Sequence, residues 1–318
     1  MHSIENYDRA MKMRSESGLG AKSISKNLNV PIGAVSNWIY LGFVPYDKQN
    51  QIKKQKLINN DHFSYVKGAT QGDGYLSISP SQYRVILKVK DKDFAEFFKM
   101  SLDTWTDENS IIKFKESTKE WMVILYRRHV AEFVNENEVS NFIEFLKGFY
   151  DAEGYATISD KNWGWIRKDG TKCFKYSRVI GLVNTNLELL KKIKEFYAKN
   201  EVIVSIYKMS SKIGDLRKIK GRGFVVKNDC WTLNIQNRKG FEWFYKNIGF
   251  RIGRKQEKVI EILKSFSEEK WPEKDIEFLI NIYGKISAKE ISKALGHSLP
   301  SVYHKACRLR ITRGIKNG

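Results

Sequence analysis

Two acidic residues, Asp73 and Glu153, lie in sequence contexts that repeat along the chain. The segments FSYVKGATQGDGYLSI (63–78) and IEFLKGFYDAEGYATI (143–158) align without a gap, and each has Lys-Gly, then the acid, then Gly-Tyr and a closing Ile. Repetition of this kind indicates a duplicated structural unit. Carboxylates are hard oxygen ligands of the type that Mg²⁺ prefers, and Mg²⁺ assists hydrolysis of phosphate esters. The repeat therefore predicts that two carboxylates share one metal site.

Two helices have to bring these acids together. Gly68 and Gly72 are four residues apart, as are Gly148 and Ala152. Each pair of small residues lies on one helical face, where it lets two backbones approach closely. The sequence therefore predicts that the helices pack side by side through these faces and that the carboxylates converge at one end of the pair.

The residues after the acids define the electrostatic setting. Gly74 and Gly154 follow Asp73 and Glu153, and are predicted to take the left-handed conformation that ends a helix. Both carboxylates would then lie at the negative end of a helix dipole, which is unfavourable unless a cation compensates. A lone Asp-Gly at a helix end is usually a turn, but the duplicated context favours the metal site.

The sequence after each acid alternates as half-buried strands do. Strands are predicted over 83–90 and 176–183, followed by helices near 93–102 and 186–199. One strand face in the first copy is cationic and the other apolar, which suits a sheet that covers DNA. The cationic positions are Arg84, Lys88, Lys90, Lys113 and Lys115, and the predicted core positions are Val85, Leu87, Val89, Ile112 and Phe114. Charged strands that simply face water remain the alternative.

The N-terminal region has the apolar spacing of short helices. Two helices are predicted within 21–30 and 31–42, the second beginning near Pro31. This pattern resembles the helix-turn-helix of resolvase-like DNA-binding domains, in which the second helix enters the major groove. Ser36 and Asn37 would then face bases or phosphates.

The C-terminal region predicts three helices within 273–311. Ser287 is a predicted helix cap with Glu290 three residues later, and Gly296 is predicted to end the second helix. The region resembles Myb-like or helix-turn-helix modules. Its groove-facing side would carry Ser301, His304, Lys305, Arg308 and Arg310. For both terminal regions, the alternative is a plain helical hairpin with a solvated basic face.

The composition points to a polyanionic partner. The chain of 318 residues has 56 Lys and Arg against 36 Asp and Glu, a net charge of +20. No apolar run reaches the length of a membrane span or forms a secretory signal, and three cysteines are too few for a disulfide framework or a paired zinc site. We therefore expect a cytoplasmic, nucleoid-associated protein, or an organellar one if the host is eukaryotic, with no membrane partner.

The segments VKGATQGDG (66–74) and LKGFYDAEG (146–154) resemble the two signature motifs of single-chain LAGLIDADG homing endonucleases. The resemblance covers roughly residues 60–258. It implies an α+β fold, in which two pseudo-symmetric αββαββα repeats form a DNA-binding saddle. With all-α helix-turn-helix modules at both ends, the predicted domains are 1–50, 60–140, 141–265 and 270–318.

The same resemblance assigns the active site. Asp73 and Glu153 would hold two or three Mg²⁺ or Mn²⁺ ions, with Gly72 and Ala152 also assigned to the metal site. In the family, the polar residue that ends the second strand of each repeat is usually part of the active site. The resemblance therefore assigns catalytic roles to Asp91 and Asn184, although Asp91 departs from the more usual Gln or Asn. Lys255 is the candidate to organise the attacking water, with Arg254 and Lys88 as the other basic candidates.

The predicted activity is cleavage of both DNA strands at a long recognition site, leaving short 3′ overhangs, by a monomer. The alternative is a non-catalytic or bifunctional nucleic-acid binder, either a maturase bound to its own intron RNA or a transcription regulator. The residues assigned to DNA contact are Arg84, Lys88, Lys90, Lys113 and Lys115 in the first repeat, Lys172, Lys175, Arg178, Arg222, Gln236 and Arg238 in the second, and Ser36, Asn37, His304, Lys305 and Arg308 in the terminal modules.

Overall fold

The computed structural model describes residues 4–79, 81–159, 177–210, 213–219, 222–266, 271–297 and 299–311. The chain divides into two compact units, which we call the first and the second unit. The first unit comprises Met1–Gly154 and Asn247–Gly253, and the second comprises Tyr155–Lys246 and Arg254–Gly318. Each unit contains one four-stranded antiparallel sheet.

The first unit begins with four helices. They are α1 (Ile4–Ser17), α2 (Ala21–Leu28), α3 (Ile32–Ile39) and α4 (Tyr46–Lys56). The two helices predicted from the apolar spacing are α2 and α3, and both lie within the predicted ranges. Helix α2 ends before Asn29, which takes a left-handed conformation, and Pro31 is the N-terminal cap residue of α3. Helices α1 to α3 share a small core around Ile24, Val35 and Trp38.

The rest of the first unit contains the first repeat and one further helix. Its elements are α5 (Asp61–Gly72), β1 (Gly74–Ser79), β2 (Gln82–Val89), α6 (Lys92–Thr106), β3 (Ile111–Lys115), β4 (Glu120–Leu125), α7 (Arg128–Glu136) and α8 (Phe142–Glu153). The sheet has the order β1-β2-β4-β3 with antiparallel neighbours. One sheet face packs on a core that includes Val85, Leu87, Phe94 and Phe98.

One predicted core position in this sheet is wrong. Phe114 is 41% exposed, although its neighbour Ile112 packs against the core. Strand β3 is an edge strand, and the core does not extend under its end. The Phe114 ring instead packs on Trp121, its partner on β4, with ring centroids 4.9 Å apart.

The second unit repeats the order of elements seen in the first. They are β5 (Gly154–Ser159), β6 (Ser177–Asn184), α9 (Leu187–Lys199), β7 (Val204–Lys208), β8 (Leu216–Ile219), β9 (Arg222–Val225), β10 (Trp231–Ile235), α10 (Arg238–Asn247) and α11 (Gly253–Ser265). The sheet order is β5-β6-β10-β7, and β8 and β9 form an inserted hairpin. With that hairpin set aside, the order αββαββα occurs twice, which confirms the predicted fold class.

Three helices follow in the second unit: α12 (Glu273–Ile282), α13 (Ala288–Leu295) and α14 (Leu299–Arg308). They enclose a separate core that includes Leu279, Ile291 and Val302. The predicted cap is confirmed, because Ser287 and Glu290 form a reciprocal capping box. Gly296 ends α13 with φ of 69°. Among the described residues, no helix combines the length and apolarity needed to cross a membrane.

Candidate active site

Helices α5 and α8 of the first unit contact each other through their small residues. A Cβ atom added to Gly68 would lie 2.0 Å from the carbonyl oxygen of Phe145, and one added to Gly148 would lie 2.1 Å from that of Tyr65. At Gly72 the added atom would lie 2.4 Å from the Cβ of Ala152. Larger side chains would overlap with the facing backbone, so the side-by-side packing predicted from the sequence is confirmed.

The two acids lie at the same end of this helix pair. Asp73 is the residue directly after α5, and its backbone N–H donates to the carbonyl of Ala69. Glu153 is the last residue of α8. The Cγ of Glu153 lies 3.1 Å from the Cβ position of Gly72, the residue next to Asp73. Both carboxylates are therefore carried to the C-terminal end of the pair, where Asp73 is exposed and Glu153 is half-buried.

The glycines after the acids have a different role from the predicted one. Neither Gly74 nor Gly154 has positive φ, and Gly154 is extended with φ of −82° and ψ of 154°. Each helix passes directly into a strand at this position. An added Cβ would lie 2.3 Å from the Cα of Thr70 at Gly74, and 2.4 Å from the carbonyl oxygen of Tyr150 at Gly154. Glycine is required here by the close approach of the chain, not by left-handed backbone.

The donor set fits a hard divalent cation. The last carbonyl groups of a helix lack intrahelical partners and carry partial negative charge, so the ends of α5 and α8 add to the charge of Asp73 and Glu153. Within the described residues, no group of three or more His, Cys, Asp or Glu side chains could hold a metal ion. Mg²⁺ is commonly held by one or two carboxylates, with water and substrate phosphates completing its shell. A pair of carboxylates is therefore enough for such an ion on a phosphate substrate.

A buried carboxylate of α8, that of Asp151, was not predicted from the sequence. Asp151 is 1% exposed and accepts a hydrogen bond from the hydroxyl of Tyr65 at 2.8 Å. Its other oxygen accepts from the backbone N–H of Arg251 at 2.8 Å. The aligned position in the first copy of the motif is the exposed Gln71, so the comparison of the copies gave no matching acid. The sequence signal that could have revealed it is the position of Asp151 between Tyr150 and Ala152 in the predicted helix.

Tyr65 is protonated over a wide pH range. Burial raises the pKa of its hydroxyl well above the ordinary value, and the nearby charge of Asp151 raises it further. The hydroxyl is thus held as a donor to Asp151. It ties α5 to α8 and to the segment that leads into α11.

Substitution Tyr65→Phe is expected to lower the free energy of unfolding by about 1–3 kcal/mol, because Asp151 loses a donor in a buried position. Chemical denaturation of the two proteins measures this difference. The wild-type value should also fall as pH rises above about 10, because unfolded Tyr65 then ionises while the folded residue remains neutral. Tyr65→Phe should lack this part of the pH dependence, and identical profiles would contradict the raised pKa of the buried hydroxyl.

The lysine of each Lys-Gly pair has a structural contact. The Nζ of Lys67 donates to the carbonyl of Val134 near the end of α7. Burial lowers the pKa of Lys67, and Glu138 partly offsets that effect. In the second copy, Lys147 pairs with Glu144 of its own helix.

The other predicted active-site residues divide between the units. Asp91 is half-buried and follows β2 as the residue before α6, in the first unit. Asn184 ends β6 in the second unit, and its Oδ1 accepts from the backbone N–H of Asn186 at 2.8 Å. Asn184 therefore ends the second strand of its repeat as predicted, whereas β2 ends at Val89 and Asp91 lies two residues beyond it, as the cap residue of α6. Lys255 is half-buried and Arg254 is exposed in the first turn of α11.

The lysines predicted to contact DNA in the first repeat are exposed. Lys88 of β2 and Lys113 of β3 both pair with Met122 of β4, so they lie in one row on the same sheet face. Lys90 and Lys115 are exposed as well. Arg84 is half-buried and donates to the side chain of Gln82.

The second unit and the terminal helices present a more varied set. Arg178 donates to Ser265 Oγ at 2.7 Å, and its guanidinium lies 4.3 Å from the ring centre of Phe266, so these contacts occupy its side chain. Arg238 pairs with Glu242 at 2.7 Å. Of the remaining positions, Gln236, Asn37, His304 and Arg308 are exposed, Ser36 and Lys305 are half-buried, and Arg222 lies in β9. Lys172 and Lys175 fall outside the described residues.

Comparison with known proteins finds a family similarity in one part of the chain. Residues 142–249 match the family described as LAGLIDADG-like domain. An uncharacterized protein of Methanocaldococcus jannaschii is 27% identical over 277 residues, which cover 83% of this chain and 94% of that protein. The structure of the I-LtrWI LAGLIDADG homing endonuclease bound to target DNA has a TM-score of 0.43 and 12% identity, and covers 71% of this chain and 98% of that one. The structure of I-DmoI in complex with DNA and Mn has a TM-score of 0.40 and 16% identity, and covers 59% and 96%.

Proposed function

We propose that the protein is a site-specific DNA endonuclease, because residues 142–249 are similar to a LAGLIDADG-like domain. The proposal depends mainly on the close packing of α5 and α8, which carries Asp73 and Glu153 to the same end of one helix pair. The motif acid is retained in both copies. A protein that only bound nucleic acid would have no need for two carboxylates in a position that a helix dipole disfavours.

Asp73 and Glu153 would hold divalent cations at this site, together with the carbonyl groups of Gly72 and Ala152. A bound divalent cation supplies Lewis-acid polarisation of a phosphoryl oxygen and lowers the pKa of a water molecule. Lys255 is proposed to orient the attacking water, with Arg254 and Lys88 as the other candidates. Asp91, just after β2, and Asn184, at the end of β6, are proposed as polar groups that position the substrate.

The basic surfaces are proposed to contact double-stranded DNA. The row of Lys88 and Lys113 offers cations to phosphate groups from the first sheet. Exposed residues of α3 and α14, including Asn37 and Arg308, would extend the recognised site at both ends. The protein would act as a monomer at a long site and leave short 3′ overhangs.

The decisive experiment is a cleavage assay on a supercoiled plasmid library that contains the DNA flanking the gene and randomised inserts. With Mg²⁺ or Mn²⁺ we expect linear product from a small set of plasmids, and with EDTA we expect none. Sequencing the ends of the product would give the site and the overhang. Shifted bands without linear product would contradict the endonuclease and support the nucleic-acid binder.

Affinity for the duplex that contains the cleavage site is expected to fall steeply as the salt concentration rises. A protein that makes several phosphate contacts loses roughly 10³–10⁵ in affinity between about 50 and 200 mM salt. Equilibrium binding by fluorescence anisotropy at several salt concentrations measures the slope. Lys88→Gln and Lys113→Gln should each reduce its magnitude by about 1, the effect of losing one phosphate contact. A flat salt dependence would exclude the basic faces as the DNA contact.

A further inference from the structure

Helix α4 connects the N-terminal helices to the first repeat and has side-chain contacts with both α1 and α7. On the N-terminal side, the Nζ of Lys48 lies 2.9 Å from the carboxylate of Asp8 in α1. Gln49 also donates to the carbonyl of Val44 at 2.7 Å, before the start of α4. The ion pair joins α4 to α1, and the Gln49 hydrogen bond joins the first turn of α4 to the segment that leads into it.

On the other side, α4 contacts α7 through a row of polar pairs. Asp47 lies 2.6 Å from the guanidinium of Arg128, and Asn50 donates to Glu132 at 3.0 Å. One turn later, Lys54 lies 2.5 Å from Glu136. The contacts recur along three turns of α4, so they fix the direction of the helix as well as its position.

The α7 side of this interface is organised around Glu132. Burial raises the pKa of Glu132, but hydrogen bonds from Arg128 and Asn50 more than offset that effect and hold the pKa below its ordinary value. Arg128 lies 2.7 Å from Glu132 and also stacks over Tyr83, with its guanidinium 5.0 Å from the ring centre. Asn50 is only 7% exposed. Partly buried pairs joined in a network hold their geometry better than isolated surface pairs do.

The chain after α4 is also fixed to the first repeat. The indole of Trp105 donates to the carbonyl of Ile58 at 2.8 Å, and Asn59 donates to the carbonyl of Glu138 at 2.7 Å. Ser140 donates its backbone N–H to the side chain of Asn59 at 3.0 Å. A flexible tether between two domains requires none of these partners.

We propose that α4 is a rigid spacer that fixes the separation, along a DNA duplex, between the part of the site bound by α1 to α3 and the part bound by the first repeat. This proposal rests on the proposed function. Arg128 is the positioning residue, because its guanidinium joins Asp47 of α4 to Glu132 of α7. The 11 residues of α4 span about 16 Å, so the two contact surfaces keep a set distance and rotation about the duplex. The substrate implied is a duplex with two sub-sites at one permitted spacing.

The experiment uses the full chain with Asp73→Asn, which prevents cleavage during binding. The probe is a duplex selected by this protein from a randomised library and footprinted to locate the N-terminal sub-site. Insertions of about 2 and about 5 base pairs are placed between the sub-sites, the larger being half a turn of B-DNA. A rigid spacer loses the tethered second contact, which is worth about 10²-fold or more, so affinity should fall by that factor.

Arg128→Gln combined with Lys54→Gln should release α4. The penalty for each insertion is then expected to fall below about tenfold, since a flexible connection lets both surfaces bind. The matched control is Lys191→Gln with Lys258→Gln, which removes two exposed lysines whose ion pairs among the described residues lie within their own helices, at 2.7 and 2.5 Å. This control should keep the full penalty.

Three outcomes would overturn the spacer. The protein that keeps Arg128 and Lys54 could bind duplexes of all spacings equally. Alternatively, the variant with Arg128→Gln and Lys54→Gln could lose as much affinity on insertion as the protein without these substitutions. Finally, hydrogen exchange of the DNA-free proteins could show that the amides of α4 exchange equally fast with and without Arg128→Gln and Lys54→Gln. That result would mean that these contacts do not hold α4 against α7. The exchange of α5 and α8 serves as the check that the variant folds. Selection that enriched no duplex would instead reject the proposed function.

Discussion

Asp73→Asn and Glu153→Gln are each expected to abolish DNA cleavage while leaving affinity for the duplex nearly unchanged. Each amide keeps the shape of the side chain but loses the charge that would hold a divalent cation. The lost stabilisation of the transition state is several kcal/mol, which corresponds to a rate decrease of about 10³-fold or more. Single-turnover cleavage and equilibrium binding, measured on the same duplex in the same buffer, separate the two effects.

The controls for these substitutions make the same acid-to-amide change at exposed acids elsewhere in the chain. Asp107→Asn alters another exposed acid directly after a helix, at the end of α6, and Glu188→Gln alters an exposed acid of α9. Neither control should slow cleavage. If Asp73→Asn weakened binding as much as cleavage, or if it cut normally, the carboxylate would not belong to the active centre.

Asp73→Asn and Glu153→Gln should each raise the free energy of unfolding slightly. A negative charge near the C-terminus of a helix is unfavourable by about 0.3–1 kcal/mol, and the amide removes it. Denaturation in the absence of divalent cations should therefore show a small gain for Asp73→Asn and Glu153→Gln. A residue that costs stability and is required for activity is typical of a functional site.

The helix pair could be predicted from the sequence because its cause is local. Close backbone approach requires small residues, and the spacing of Gly68 with Gly72 and of Gly148 with Ala152 places them on one face. Strand alternation and the repeated motif gave the order of the elements for the same reason. The requirement is visible in residue types at short separations, without knowledge of the partner.

The features that escaped prediction depend on neighbours distant in the sequence. The hydrogen bonds of Asp151 come from Tyr65 and Arg251, so no short spacing reveals them. Phe114 alternates correctly for a core position, but its strand lies at the sheet edge, where the core ends. The contacts of α4 with α7 likewise join side chains of Asp47 and Arg128 that are remote in sequence.

Gly68→Ala is expected to destabilise the protein by about 3 kcal/mol or more, the upper range for overpacking a close contact. Alanine is favoured over glycine inside a helix by about 1 kcal/mol, so intrinsic propensity alone predicts the opposite sign. Steric overlap dominates because the new Cβ would lie 2.0 Å from the carbonyl oxygen of Phe145, which is backbone and cannot rotate away. Chemical denaturation of wild type and variant measures the sign directly.

The matched control for this substitution is Gly33→Ala in α3, where an added Cβ has no atom within 4 Å among the described residues. Alanine should be neutral or stabilising there by up to about 1 kcal/mol, because only helix propensity acts. Gly68→Ala should also lower the cleavage rate of the folded fraction, since separation of α5 from α8 moves Asp73 away from Glu153. A Gly68→Ala protein as stable as wild type would mean that the helices can separate at little cost, and the position of the carboxylates would then not be fixed by the helix contact.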